Sequence, residues 1–261
     1  MKGSLDAFAS VLASSKPEHN PQYGDRLMKS LRGEPLEPVT LAKMTRDEQF
    51  AATMFRRFTE IHNCIERLKD CEAYVGSFPF KRGRITRHAY LQLVVEAHLN
   101  ELYVLRERLL AYAKTVERAY RKDLHSKEIA KVTASLEAFV VKVLSSFARA
   151  RGSHIHEYRY SHDDIERLQL VALLKLSPDK EFKKRIRALG KVAIADTHAR
   201  LRNQAKKWNL LASRVIEMFA KEISPLVISN DLKSFRYPNA RPVRSNLPLN
   251  PDAREQTARA G

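Results

Sequence analysis

Apolar residues recur at steps of three and four from Phe50 onward. Phe50, Met54, Phe58, Ile61, Ile65 and Leu68 form the first such stripe, and that spacing places them on one face of a helix. Thr45 stands at its start with Glu48 three residues on, a capping-box arrangement. The stretch "VGSFPFKRG", residues 75 to 83, ends it, because Gly76, Pro79 and Gly83 do not sustain helical hydrogen bonding. Thr86 is the predicted cap of a second helix with the stripe Leu91, Val94, His98, Leu102, Leu105 and Leu109. A third starts near Ser126 and aligns Ile129, Val132, Leu136, Phe139, Val140, Val143 and Phe147.

Ser161 reads as the N-cap of a fourth helix, with Asp163 and Asp164 in its first turn and Ile165, Leu168, Val171 and Leu174 following. Ser177-Pro178 opens the last and longest helical region, with Pro178 suited to the first helical position. That region runs to about Ser224. Gly190 is a place where it can bend, and Trp208, Leu211, Val215 and Phe219 mark its packed face. Prolines at 17, 21, 35 and 38, and again at 238, 242, 248 and 251, bracket these elements with little apolar rhythm. The pattern predicts an all-α multi-helix bundle. Residues 1–44 are an N-terminal extension, 45–228 the helical bundle domain, and 229–261 a Pro-containing C-terminal tail.

Composition adds the partner class. Hydrophobic residues make up 44% of 261, a globular balance, while 47 Lys and Arg against 30 Asp and Glu leave a net charge of +17. Such a field draws phosphates, in nucleic acid or at an anionic membrane surface. No apolar run approaches a bilayer span, so nucleic acid is the first expectation. Asp6 interrupts the short apolar stretch of "MKGSLDAFASVLASS", which is therefore not read as a signal peptide, and the expected location is cytoplasmic. Cys64 and Cys71 are about 10.5 Å apart along a helix axis, too far for a mutual disulfide, and no CxxC pair suggests a zinc finger.

Several enzyme classes lack their motifs. There is no GxGxxG or GxxxxGK[ST] loop for a nucleotide, no histidine with a Glu three residues before it for a di-iron bundle, and no GxSxG elbow. What stands out is "RARGSHIHEYRYSHDD", residues 149 to 164. On an unbroken helix the five-residue step from Arg151 to His156 puts the two positions roughly 140° apart. Gly152-Ser153 is therefore expected to end the third helix and let the two side chains converge. Arg with His suits RNA cleavage. An imidazole moves protons near neutral pH, and a guanidinium holds a phosphate and steadies the charge that develops on it. No metal is needed.

The segment "RGSHIHE" resembles the Arg-x(4–6)-His signature of HEPN domains, all-α bundles often found as RNases in toxin, defence and RNA-processing systems. "NELYVLRERL", residues 100 to 109, is similar to a helix of some members. The resemblance implies a metal-independent endoribonuclease site of Arg151 and His156 assembled across a homodimer, with Glu157 beside it and no cofactor. It also implies RNA as the ligand and an antitoxin or other protein as a further partner. Gly152 stands where the family often has a polar residue. Arg149 to His154 overlaps the match with the same spacing, and Arg57 to His62 repeats it inside the first helix, so position singles out Arg151 rather than spacing.

Alternatives stay open for these residues. The arginines are otherwise solvated and the histidines cap or pack in a loop of a non-catalytic nucleic-acid-binding or protein-interaction module. As a third reading, His154, His156 and His162, with Asp163 and Asp164, are a set of metal ligands close in sequence. The basic segments at 179–191 and 199–208 contribute Lys183, Lys184, Arg185, Arg187, Arg200, Arg202, Lys206 and Lys207. These are expected either to track RNA phosphates or to form an ordinary solvated helix face. Trp208 and His98 are expected in the core.

Overall fold

The computed structural model describes residues 46–80, 85–156 and 162–228 together with Arg32 and Pro238; for 46–48 and 151–156 it describes the backbone alone. Among the described residues there are five helices: α1 Arg46–Val75, α2 Arg87–Ala119, α3 Ser126–His156, α4 Asp163–Leu174 and α5 Lys180–Val227. The chain is an all-α multi-helix bundle. The remainder of the 1–44 and 229–261 segments, and Thr45, lie outside the described residues.

The predicted stripes are the core. All six residues of the α2 stripe are buried, and Leu102, Leu105 and Leu109 have no exposed surface. Burying each leucine contributes about 1.5–3 kcal/mol, so truncating Leu105 to alanine costs about 2–5 kcal/mol. On α1, Phe50, Met54, Ile61 and Leu68 are buried, and Cys64, Cys71 and Val75 join them. Phe58 and Ile65 pack at the margin. On α3, Leu144 is fully buried while Val143 is only partly so, a rotation of the stripe by one position that apolar spacing alone leaves undecided. Both cysteines are free. No helix among the described residues is long and apolar enough to cross a membrane.

Helix ends show where local chemistry decided. Thr86 caps α2 as expected, its side chain accepting from the Ala89 N–H at 3.4 Å. The long helix does not start at Pro178. The Asp179 carboxylate accepts from Glu181 N–H at 2.9 Å and Phe182 N–H at 3.1 Å, capping a helix that begins at Lys180. Two orphan donors satisfied by one carboxylate outweigh a proline that satisfies none. At the other end Pro225 is accommodated in the last turn, and the helix reaches Val227 rather than Ser224. Gly190 serves close approach: a Cβ there would come within 2.9 Å of Val171 Cγ1, so its absence lets α4 lie against α5.

The expected break in α3 does not occur. The helix continues through Gly152 and Ser153 to His156. A glycine inside a helix costs only about 1 kcal/mol relative to alanine, and one such residue does not stop a helix of 31 residues.

Candidate functional site

One end of the bundle gathers the end of α1, the starts of α2 and α4, and the last turns of α3 around the middle of α5. The cross-helix contacts set the levels. His198 on α5 meets Val75 and Arg87, and the next level along α5 meets Leu68 and His98. Thus α1 runs opposite to α5 and α2 runs with it. Phe147 on α3 meets Trp208 edge to face at 5.8 Å, and His98 meets the same ring at 5.2 Å. Since α3 returns along α2, positions 151 to 156 lie past Phe147, toward the level of Gln204 and His198.

His162 anchors the chain as it re-enters the bundle. It, and not Ser161, is the N-cap of α4 (Ser161 lies outside the described residues). Its Nδ1 accepts from the Asp164 N–H at 3.3 Å, and its Nε2–H donates to Gln204 Oε1 at 2.9 Å. With Nδ1 accepting, Nε2 is the nitrogen left to donate. Asp164 is fixed in turn. Its backbone carbonyl accepts from Thr197 Oγ1 at 3.2 Å, and its carboxylate stands 3.6 Å from Arg200. The His162 and Asp164 side chains are only 15% and 14% exposed, so the pair is held in a low-dielectric setting where such bonds orient strongly.

The expected catalytic pair is not brought together within one chain. Arg151 and His156 fall on a continuous helix, five residues and so roughly 140° apart around its axis, as do Arg149 and His154. The pair Arg57 and His62 on α1 is separated in the same way, with His62 exposed. Glu157 lies outside the described residues, as do the side chains of Arg151, His154 and His156. Of the metal alternative, His162 is committed as a cap with both ring nitrogens engaged, and no metal-holding group of three His, Cys, Asp or Glu occurs among the described residues.

The basic residues of α5 divide in two. Lys183, Lys184, Arg185 and Arg187 lie near its start, where all but the half-buried Lys183 are exposed. Arg200, Arg202, Lys206 and Lys207 are exposed at its middle, about 20 Å or more further along the axis. Arg200, Gln204 and Lys207 follow steps of four and three, so they share the face turned to the start of α4. Arg202 turns the other way and lies over Gly76.

Cys64, Cys71 and His98 are buried in the core. Burial pushes the Cys64 and Cys71 thiols up to about 11, which keeps them protonated and unreactive at neutral pH. His98 is buried as expected, and desolvation holds its pKa below the ordinary imidazole value. Trp208 packs between His98 and Phe147, a core position. Sequence reasoning missed Gln204 and Thr197 as the partners that hold His162 and Asp164. They lie 42 and 33 residues away, and no local pattern marks them. No family model, curated protein or solved structure matches this chain.

Proposed function

We propose that the chain is an HEPN-like RNA-binding protein and a metal-independent endoribonuclease of the kind found in toxin, defence and RNA-processing systems. Its RNA-binding face is the end of the bundle where α3 stops and α4 begins. The observation that carries this reading is the register on α5: the chain bearing the Arg-x4-His segment is pinned on one side by Phe147 at Trp208 and on the other by His162 at Gln204. Exposed Arg200 and Lys207 lie on the same face of α5 as Gln204. Cations at those points attract the RNA backbone through released counterions.

In the cleavage step His156 takes the proton from a ribose 2′-hydroxyl as that oxygen attacks the adjacent phosphorus. The P–O5′ bond breaks, water supplies a proton to the departing 5′-oxygen, a 2′,3′-cyclic phosphate remains, and His156 returns its proton to the solvent. Arg151 holds the non-bridging oxygens. Because the helix through 151–156 is continuous, the reading requires two copies of the chain, Arg151 of one facing His156 of the other. The same continuity favours the alternative of a binding module without cleavage, and the two part in a single experiment.

Single-stranded RNA is incubated with the protein in EDTA while sedimentation reports the oligomer. Cyclic-phosphate product from a dimer, abolished by His156→Ala and by Arg151→Ala with RNA binding retained in the His variant, supports the enzyme. Greater damage from His154→Ala moves the site to Arg149 and His154. Salt-sensitive binding with intact RNA supports the module, and absence of RNA binding at low salt overturns both. Activity lost in EDTA and restored by a divalent ion overturns the metal-independent reading.

A further inference from the structure

A second cluster lies on the opposite side of α5 from His162, at the same level. Arg87, the first residue of α2, is half-buried. Its Nη1 donates to His198 Nε2 at 3.1 Å, and its guanidinium carbon stands 4.5 Å from the centre of the Phe78 ring. His198 is turned for this role. Its Nδ1–H donates to the Val75 carbonyl at 2.8 Å, which leaves Nε2 with the lone pair that receives the guanidinium.

Neither of these partners of Arg87 is a carboxylate, and among the described residues none stands within ion-pair distance of it. A half-buried guanidinium normally meets a carboxylate or phosphate in two-pronged fashion. Here an imidazole and a ring face hold the group in place and leave its charge unneutralised. Arg202, one turn beyond His198, is exposed and lies beside Gly76, next to the Val75 carbonyl that holds His198. Its Nε stands 3.8 Å from where a Cβ on Gly76 would be, ordinary van der Waals contact with the residue that follows Val75.

Beside Arg87 is a cluster of three aromatic rings. Phe78, Phe80 and Tyr90 meet edge to face at 5.5 to 5.8 Å, and the Tyr90 hydroxyl donates to the Tyr74 carbonyl at 3.2 Å. Phe80 nonetheless keeps 38% of its surface exposed. An acidic protein would use the cations and leave that ring face in water. A nucleotide uses both, with its phosphate on the guanidinium groups and its base on the ring.

We infer that Arg87, Arg202 and Phe80 form a binding site for one phosphate-and-base step of single-stranded RNA, with His198 a positioning residue for Arg87. The inference rests on the RNA-binding reading above and adds a contact that the Arg-x4-His segment does not supply.

The test is fluorescence anisotropy of the full chain with a 2′-O-methyl uridine oligomer, which resists cleavage, over a series of salt concentrations. Arg87→Gln is expected to weaken binding about fivefold or more and to lower the salt slope by about one. Phe80→Leu keeps an apolar side chain but removes the ring, and should weaken binding about fivefold, the lower end for base stacking, with the slope unchanged. RNA carrying 4-thiouridine should crosslink to the peptide containing Phe80. Lys207→Gln, on the other side of α5, is the comparison. RNA binding that falls with Lys207→Gln but is untouched by Arg87→Gln and Phe80→Leu overturns this inference and leaves the RNA-binding reading standing. Wild-type protein that binds no RNA overturns both. If Arg87→Gln weakens binding only alongside a lowered melting temperature, while the exposed Phe80→Leu binds like wild type, the cluster is structural and the inference fails.

Discussion

Asn209 ties three helices together, and its replacement by leucine measures what that joint contributes. Its Nδ2 donates to the Leu68 carbonyl at 3.1 Å and to Glu72 Oε2 at 2.8 Å on α1. Its Oδ1 accepts from the Nε2–H of His98 on α2 at 2.9 Å. Leucine keeps the branching and the number of heavy atoms and removes all three bonds. Leu68 and the half-exposed Glu72 recover other partners, in the helix or in water. His98, only 1% exposed, does not: its N–H is left buried without an acceptor. That loss costs about 1–3 kcal/mol, and the bond to the charged Glu72 brings the total to about 2–4 kcal/mol. For a domain of this size each kcal/mol lowers the melting temperature by about 2–4 °C, so a fall of about 5–15 °C is expected in a far-UV circular dichroism melt. The double variant His98→Leu, Asn209→Leu replaces both polar partners by apolar ones and should recover about 1–3 kcal/mol relative to the sum of the single changes. A single variant melting within about 2 °C of wild type, or a double variant equal to that sum, refutes the reasoning.

Stability should also depend on pH through His98. Burial holds its pKa below the ordinary 6.5, so as pH falls through 6.5 the unfolded chain takes up a proton before the folded one. Its stabilising contribution is full above that point and is lost as pH falls toward the folded value; the melting temperature should drop less in His98→Leu than in wild type between about pH 7.5 and 5.5, and equal drops refute the assignment. At the start of α5, Asp179→Ala removes the acceptor of two backbone N–H groups and should cost about 1 kcal/mol by urea denaturation, whereas Pro178→Ala should cost less; the reverse order would return the helix start to Pro178.

The periodic apolar positions carried the bundle. Leu91 through Leu109 and Ile129 through Phe147 lie on helices because a step of three or four brings them to one face, and burying that face stabilises the helix. Thr86 was legible for a similar local reason, since a cap is a bond across three residues. The helix through Gly152 was misjudged because a local penalty of about 1 kcal/mol is small against the cooperative propagation of a long packed helix, a balance that no short window contains. The +17 charge was plain in the composition, but not its division into Arg200 and Lys207 on one side of α5 and Arg202 on the other. That division follows from the direction in which α5 packs. The pairs that build the two clusters, His162 with Gln204 and Arg87 with His198, join residues 42 and 111 apart. Such bonds are made only after the helices have docked on their apolar faces, so the sequence determined which faces would meet, and the tertiary structure alone decided which polar groups those faces carried together.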